Sequence, residues 1–169
     1  GFISSSFDYE VGGLQIPLMA STASSYILDA ANNHLPGYAG LTQGAAELII
    51  HFAKKDLLDK YVPDMLAGNW GGTMCLTEPQ AGSSLSDIVT KARPHENEYY
   101  NISGQKIFIS AGDNQYLDNI VHLVLARIEG APKGTRGISL FIVPKNRKLD
   151  DCSLEPNDVT SVADFQKMG

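Results

Sequence analysis

The spacing of apolar residues changes once along this chain, near residue 69, and this change constrains the fold more than any other feature. In the first part, apolar residues recur at helical intervals within residues 17–33, 41–52 and 56–66. In the second part, short apolar or alternating runs are separated by turn residues, as is typical of strands. The sequence therefore predicts a helical segment, residues 1–68, followed by a β domain, residues 69–169.

Six runs in the second part are predicted to be strands: 70–76, 90–93, 99–103, 105–110, 119–128 and 137–143. Residues 101–104 are expected to form a tight hairpin turn in which Gly104 has a positive φ. Helices do not alternate with these strands, so a parallel nucleotide-binding sheet is not expected. We predict an α+β fold in which the N-terminal helical segment precedes an antiparallel β-barrel or sandwich.

The loop after the first predicted strand has a composition that suits ligand binding. Pro79 ends the strand, because its ring fixes φ and restricts the preceding residue. Gly82 lets a ligand approach the main chain, while Ser83 and Ser84 offer hydroxyl groups beside backbone N–H groups. The spacing of Ser84 and Asp87 also fits a capping box. The residues alone leave two interpretations open: a cradle for a phosphate or carbonyl group, or an ordinary corner whose serines only cap the following turn.

Composition and charge argue against several other classes of protein. The 169 residues are 43% hydrophobic, which is enough to form a core. A formal net charge of -6, without any basic block, argues against nucleic-acid binding. Cys75 and Cys152 lie far apart and the four histidines are scattered, so neither a disulfide framework nor a metal site is expected. Neither a secretory signal nor a membrane-spanning segment is expected.

Two ordered motifs and three further stretches resemble one known family. Residues 77–83 (TEPQAGS) and 104–110 (GQKIFIS) are similar, in sequence and in separation, to the middle domain of the acyl-CoA dehydrogenase family. Residues 60–68 resemble the segment that joins the helical domain of that family to its middle domain, and residues 7–14 and 167–169 resemble two further stretches. The resemblance spans nearly the whole chain. It implies a helical domain followed by a β-barrel middle domain.

The resemblance also implies a cofactor, FAD, and a thioester substrate, an acyl-CoA. In such enzymes a carboxylate base removes the α-proton of the thioester while the β-hydride passes to flavin N5. By resemblance, the stretch from Met74 through Leu76 to Thr77 lines the flavin ring. Its main-chain groups and the Thr77 hydroxyl are expected to bond to the polar edge of the ring.

Four more residues are assigned to the ligands by resemblance. Ser83 is expected to meet the FAD pyrophosphate and to stand near the acyl-CoA, at a point where Gly82 permits close approach. Phe108 is expected to form an aromatic wall against the flavin ring, and Ser110 to provide a hydroxyl donor near N5. The structural alternative is that all these residues are ordinary core side chains and strand-end hydroxyls.

No catalytic residue is assigned within this chain. The resemblance places the catalytic glutamate in a second helical domain after the barrel, which also supplies part of the FAD site and much of the oligomer contact. The chain is therefore predicted to be a truncated fragment that by itself is inactive and binds FAD weakly. Glu78 lies beside the expected flavin loop, but we expect it to be a hydrogen-bonded structural residue. Asp87 and Asp113 are expected to cap or to stabilise turns.

Two positions depart from the pattern of the family. Serine stands at position 84 where the family usually has aspartate, and Phe108 stands where most members have tryptophan. Phe108 keeps an aromatic face but lacks the indole N–H donor. Residues 108–112 (FISAG) and 119–127 are more similar to the branch that contains 3-methylthiopropanoyl-CoA dehydrogenases.

The parent protein implied by the resemblance is a homo-oligomeric, FAD-dependent acyl-CoA dehydrogenase of the bacterial cytoplasm or the mitochondrial matrix, with electron-transfer flavoprotein as its electron acceptor. Two other interpretations stay open. One is an acyl-CoA oxidase or another flavoenzyme of the superfamily, in which oxygen meets the reduced flavin differently. The other is a non-catalytic relative that uses the same fold as a scaffold, because a fold does not fix a function.

Overall fold

A computed structural model describes residues 2–96 and 99–161 of the chain. Three helices come first: α1 (Leu18–Asn32), α2 (His34–Phe52) and α3 (Lys55–Ala67). Helix α3 ends at Gly68, whose φ of 85° lets its N–H return to the carbonyl groups of the last turn. All three predicted helices are confirmed, but α2 begins seven residues earlier than residue 41, where it was predicted to start. Pro36 does not prevent this, because it lies in the first turn, where a backbone N–H has no intrahelical acceptor.

Seven strands follow within the described residues: β1 (Trp70–Cys75), β2 (Lys91–Pro94), β3 (Tyr100–Ser103), β4 (Asn119–Ile128), β5 (Ile138–Pro144), β6 (Asn146–Lys148) and β7 (Leu154–Pro156). The first five form one sheet with the order β1-β4-β2-β3, and β5 also pairs with β4. Strand β4 is the longest and has three partners, so it is the centre of the sheet. Strands β6 and β7 form a separate antiparallel ribbon.

The sheet is mixed, so the prediction of a purely antiparallel arrangement was wrong. Strand β4 runs antiparallel to β5 but parallel to both β1 and β2. Parallel partners need a long crossover connection, which is usually a helix. Here the crossover from β1 to β4 consists of loops and the β2–β3 hairpin, and for this reason the lack of helix–strand alternation did not reveal it.

The segment 105–110, which was predicted to be a strand, is irregular, and Phe108 within it has a φ of 58°. The predicted hairpin turn at residues 101–104 was also wrong, because the chain reverses between β2 and β3, before these residues. Gly104 is required for another reason than a positive φ. A Cβ at this position would lie 2.3 Å from the Thr90 hydroxyl oxygen, so only glycine allows these two segments to touch.

The hydrophobic core lies between the helices and one face of the sheet. Ile49 of α2 and Met65 of α3 pack with Trp70, Val121 and Leu123 of strands β1 and β4. The division of the chain into domains at residues 68 and 69 stays a prediction. The stretch 167–169, which resembles part of the family, lies outside the described residues.

Candidate functional site

The loop after β1 and the segment 105–110 lie side by side. The backbone N–H of Ile107 donates to the carbonyl oxygen of Thr77 over 2.9 Å. The ammonium group of Lys106 donates to the carbonyl oxygen of Leu76 over 3.1 Å. The two motifs that carry the family resemblance are thus in direct contact, although 20 residues, 84–103, separate them in the sequence.

Glu78 is the centre of this contact, and only 2% of its surface is exposed. Its carboxylate accepts hydrogen bonds from Lys106 Nζ at 2.8 Å, from the backbone N–H groups of Val89 and Thr90 at 2.7 and 3.1 Å, and from Gln80 Nε2 at 2.6 Å. The hydroxyl of Thr90 donates to it as well. The hydrogen-bonded role predicted for Glu78 is confirmed.

The electrostatics of Glu78 do not suit a general base. Burial alone raises the pKa of this carboxyl, but the hydrogen bonds from Lys106, Thr90 and Val89 outweigh burial and lower the pKa to about 2. A carboxylate with such a low pKa is a weak proton acceptor near neutral pH. It is also surrounded by five donor groups that would have to be displaced.

Glu78 also closes the base of the loop 79–88. Its backbone forms a bridge with Ala81, in which the two residues exchange N–H···O bonds of 2.8 and 3.1 Å.

The predicted capping box is not formed, because the Ser84 hydroxyl lies 3.2 Å from that of Ser86 and does not bond to the backbone of the turn. Leu85–Asp87 is a single 3₁₀ turn, which is too short to present a set of free helical N–H groups.

The seven residues predicted to bind FAD belong to the two contacting segments or to the end of β1, and all are accessible. Met74 has 38% of its surface exposed and is the outward-facing position of β1, whereas Phe108 has 57% exposed. The other five are half-buried or exposed: Leu76, Thr77, Gly82, Ser83 and Ser110. Gly82 does not have a positive φ, but a Cβ at this position would meet no atom within 4 Å, so the space beside its backbone is open. The structure thus rules out a buried core role for Met74 and Phe108.

The backbone is strained at two residues, one within the segment 105–110 and one directly after it. Phe108 and Ala111 have φ values of 58° and 56°, in the left-handed region that side chains with a Cβ rarely adopt. Such conformations cost free energy and occur preferentially at functional sites, where the surrounding structure holds them. The strain is located at the residue that was predicted to be the aromatic wall of the flavin site.

Sequence reasoning missed a second polar cluster, inside the sheet. His122 of β4 lies opposite Thr73 of β1, and its Nδ1 is 2.8 Å from the Thr73 hydroxyl and 3.8 Å from the sulfur of Cys75. Among the described residues, its Nε2 has no hydrogen-bond partner. Burial is the main cause that lowers the pKa of His122 to about 4, so the ring is neutral at pH 7. The parallel register of β1 and β4 creates this cluster, and no local signal in the sequence indicated that register.

Metal and membrane sites receive no support within the described part of the chain. No three histidine, cysteine, aspartate or glutamate side chains come together there as metal ligands would. None of its helices has the length and apolar character needed to cross a membrane. Burial raises the pKa of the Cys75 thiol, as expected for an inert buried cysteine.

Comparison with known proteins shows the family of this chain. The sequence pattern described as "Acyl-CoA dehydrogenase, middle domain" matches residues 73–166. The 3-methylmercaptopropionyl-CoA dehydrogenase of Ruegeria pomeroyi is 42% identical over 145 residues, which cover 86% of this chain and 25% of that protein. The chain belongs to the acyl-CoA dehydrogenase family. It spans about a quarter of the length of this curated relative.

Solved structures of acyl-CoA dehydrogenases share the fold. The acyl-CoA dehydrogenase of Geobacillus kaustophilus superposes with a TM-score of 0.70 at 30% identity, over 85% of this chain and 37% of that one. A glutaryl-CoA dehydrogenase of Mycobacterium smegmatis, in complex with FADH2, also gives a TM-score of 0.70, at 20% identity, over 86% of this chain and 35% of that one. The helices and the mixed sheet are therefore the arrangement found in acyl-CoA dehydrogenases.

Proposed function

We propose that this chain forms the flavin-contacting part of an FAD-dependent acyl-CoA dehydrogenase. The observation that carries the proposal is the direct contact between the Thr77 loop and the segment that bears Phe108, which are held together by the Ile107–Thr77 hydrogen bond of 2.9 Å. Family membership, the acyl-CoA dehydrogenases among the relatives and the FADH2 bound to a protein of the same fold support the choice of ligand.

The residues around this contact fit a flavin. Met74 and Phe108 have exposed apolar side chains that suit the faces of a planar ring. Thr77 and Ser110 carry hydroxyl groups that would bond to the polar edge of the ring. The open space beside Gly82 would admit a phosphate group to the backbone and to Ser83.

The chemistry of the proposed reaction divides between the cofactor and the protein. When bound, FAD accepts a hydride from the β-carbon of an acyl-CoA thioester. This chain would hold and orient the flavin and would place the acyl-CoA near Ser83. Because Glu78 is ionised and surrounded by five donors, we infer that the base for the α-proton is supplied by a residue other than those assigned here. Electron-transfer flavoprotein as the acceptor and a homo-oligomeric assembly are part of the same proposal, as is a location in the bacterial cytoplasm or the mitochondrial matrix.

Titration with FAD tests the binding site. We expect saturable binding that quenches flavin fluorescence, and we expect Phe108→Ala and Thr77→Val to weaken it. Tyr26→Ala is the control, because Tyr26 lies on α1, 75% exposed and outside the proposed site, and its loss should leave the affinity unchanged. Equal effects of all three substitutions, or no binding by the unchanged chain, would contradict the proposed site.

Adding an acyl-CoA to the purified protein tests the reaction. The protein is expected to be yellow and to lose its colour when an acyl-CoA is added without oxygen. Formation of peroxide in air would identify an oxidase instead of a dehydrogenase. A colourless protein without affinity for flavin would favour the scaffold interpretation.

A further inference from the structure

We propose that Lys106 and Glu78 act as a positioning pair that fixes the flavin loop, in addition to any contribution they make to stability. This inference rests on the proposed function, since it concerns the same site. Neither residue is assigned to contact the flavin or the substrate. Their effect would be to hold the groups that do.

Three hydrogen bonds join the Thr77 loop to the segment that carries Phe108. Lys106 Nζ reaches both the Leu76 carbonyl oxygen, at 3.1 Å, and the Glu78 carboxylate, at 2.8 Å. Between these two residues, the Thr77 carbonyl oxygen accepts the N–H of Ile107. Three consecutive residues of the loop are therefore fixed by two consecutive residues of the facing segment.

The Glu78 carboxylate also binds the chain at the far end of the loop. It accepts hydrogen bonds from the backbone N–H groups of Val89 and Thr90, which are the first residues after the loop 79–88. One buried carboxylate thus joins both ends of the loop that carries Gly82 and Ser83 to the segment that carries Phe108. Any shift of the carboxylate would displace the proposed ring contacts and phosphate contacts together.

The ion pair is buried and lies close in sequence to the strained backbone of Phe108. The side chains of Lys106 and Glu78 are 10% and 1% exposed. A buried ion pair of this kind is weak evidence for stability, because apolar residues of similar volume often serve a fold equally well. What the pair provides is a defined geometry two residues before Phe108, whose left-handed backbone must be held by its surroundings. We infer that the pair keeps Phe108 and Thr77 at a fixed separation.

The test compares FAD affinity and thermal stability in matched variants. Lys106→Met removes the ammonium group from the proposed site. Lys148→Met is the control, because Lys148 Nζ also binds a carboxylate, that of Asp64 at 2.7 Å, and approaches a backbone carbonyl, but lies where β6 meets α3. Loss of a charge-assisted hydrogen bond corresponds to a change of about 10- to 100-fold in an equilibrium constant. We expect Lys106→Met to raise the dissociation constant of FAD by that factor, and Lys148→Met to leave it within about twofold, although both variants melt at lower temperature.

A double variant separates positioning from charge balance. Lys106→Met combined with Glu78→Gln leaves no uncompensated buried charge, so stability should recover in part. If the pair positions the loop, the affinity for FAD stays low although stability recovers. Recovery of both stability and affinity would overturn the proposal.

Failure of the proposed function is distinguishable from failure of this inference. If the unchanged protein binds no FAD, the proposed function fails, and the pair is then tested by amide hydrogen exchange of Ile107, whose N–H bonds to Thr77. Positioning predicts faster exchange of this amide in the double variant, measured under conditions in which global unfolding is equally rare, and unchanged exchange in Lys148→Met. Unchanged exchange in the double variant would refute the positioning role.

Discussion

Lowering the pH from 7 to 5 is expected to destabilise this protein through His122. The imidazole is buried between β1 and β4, where its Nδ1 lies 2.8 Å from the Thr73 hydroxyl. Protonation would place a charge on a ring whose Nε2 has no partner among the described residues. Of the charged groups that act on the ring, Asp113 favours protonation and Lys145 opposes it, and both effects are smaller than that of burial.

The magnitude follows from the difference between two pKa values. The pKa of His122 is about 4 in the folded protein and 6.5 for an unperturbed histidine. The unfolded state therefore takes up a proton as the pH falls below 6.5, while the folded state does not until the pH approaches 4. Stability is fully present above pH 6.5 and is lost as the pH falls through this window. Each pH unit within it costs about 1.4 kcal/mol, so the step from pH 7 to pH 5 should cost about 2 kcal/mol.

Urea unfolding followed by tryptophan fluorescence measures this change. Trp70 is the single tryptophan and is buried, so its emission should shift to longer wavelength when the core opens. His122→Gln is the matched control, because the amide retains hydrogen-bonding groups near Thr73 but does not titrate. We expect this variant to lose most of the pH dependence between 7 and 5. A flat profile for the unchanged protein, or the same slope in the variant, would refute the reasoning.

Four further predictions concern the core and the site. Gly72→Ala should lower the free energy of unfolding by about 1–3 kcal/mol in a urea titration, because the new Cβ would lie 2.7 Å from the Cβ of Ala45. Gly82→Ala meets no atom within 4 Å, so the Tm should not change while the affinity for FAD falls; an unchanged affinity would contradict a close ligand approach. Ile49→Ala removes a buried side chain and should cost about 2–5 kcal/mol, measured in the same way. Glu78 has its pKa lowered from 4.5 to about 2, so its stabilisation is present above pH 4.5 and is lost as the pH falls towards 2; Glu78→Gln should flatten that part of the acid unfolding curve.

The helices and most strands could be predicted because their signals are local. An apolar stripe of helical period identifies α1, α2 and α3, and the strand runs of β1, β2, β4 and β5 are short and bounded by turn residues. The hydrogen-bonded role of Glu78 was predictable because a carboxylate needs hydrogen-bond partners wherever folding buries it. The identity of those partners was not, since Val89, Thr90 and Lys106 lie 11, 12 and 28 residues away.

The segment 105–110 shows why a local pattern is sometimes insufficient. Ile107, Phe108 and Ile109 form a short run of β-branched and aromatic residues, which is typical of a strand. In the structure, however, Lys106 is bound to Leu76 and Glu78, and the backbone turns at Phe108 with a φ of 58°. Contacts made with a distant part of the chain override the propensity of the segment. The predicted strand and its hairpin fail at the place where the candidate site is built.

The sequence by itself determined the three helices, the strand runs of β1 to β5 and the residues that carry the family resemblance. These follow from periodicity, composition and motif spacing, which are properties of neighbouring residues. Only the tertiary structure decided that β1 and β2 run parallel to β4, that His122 faces Thr73, and that Lys106 and Ile107 together bind three consecutive loop residues. Strand direction and side-chain partners depend on how distant segments pack, and no local pattern contains that information.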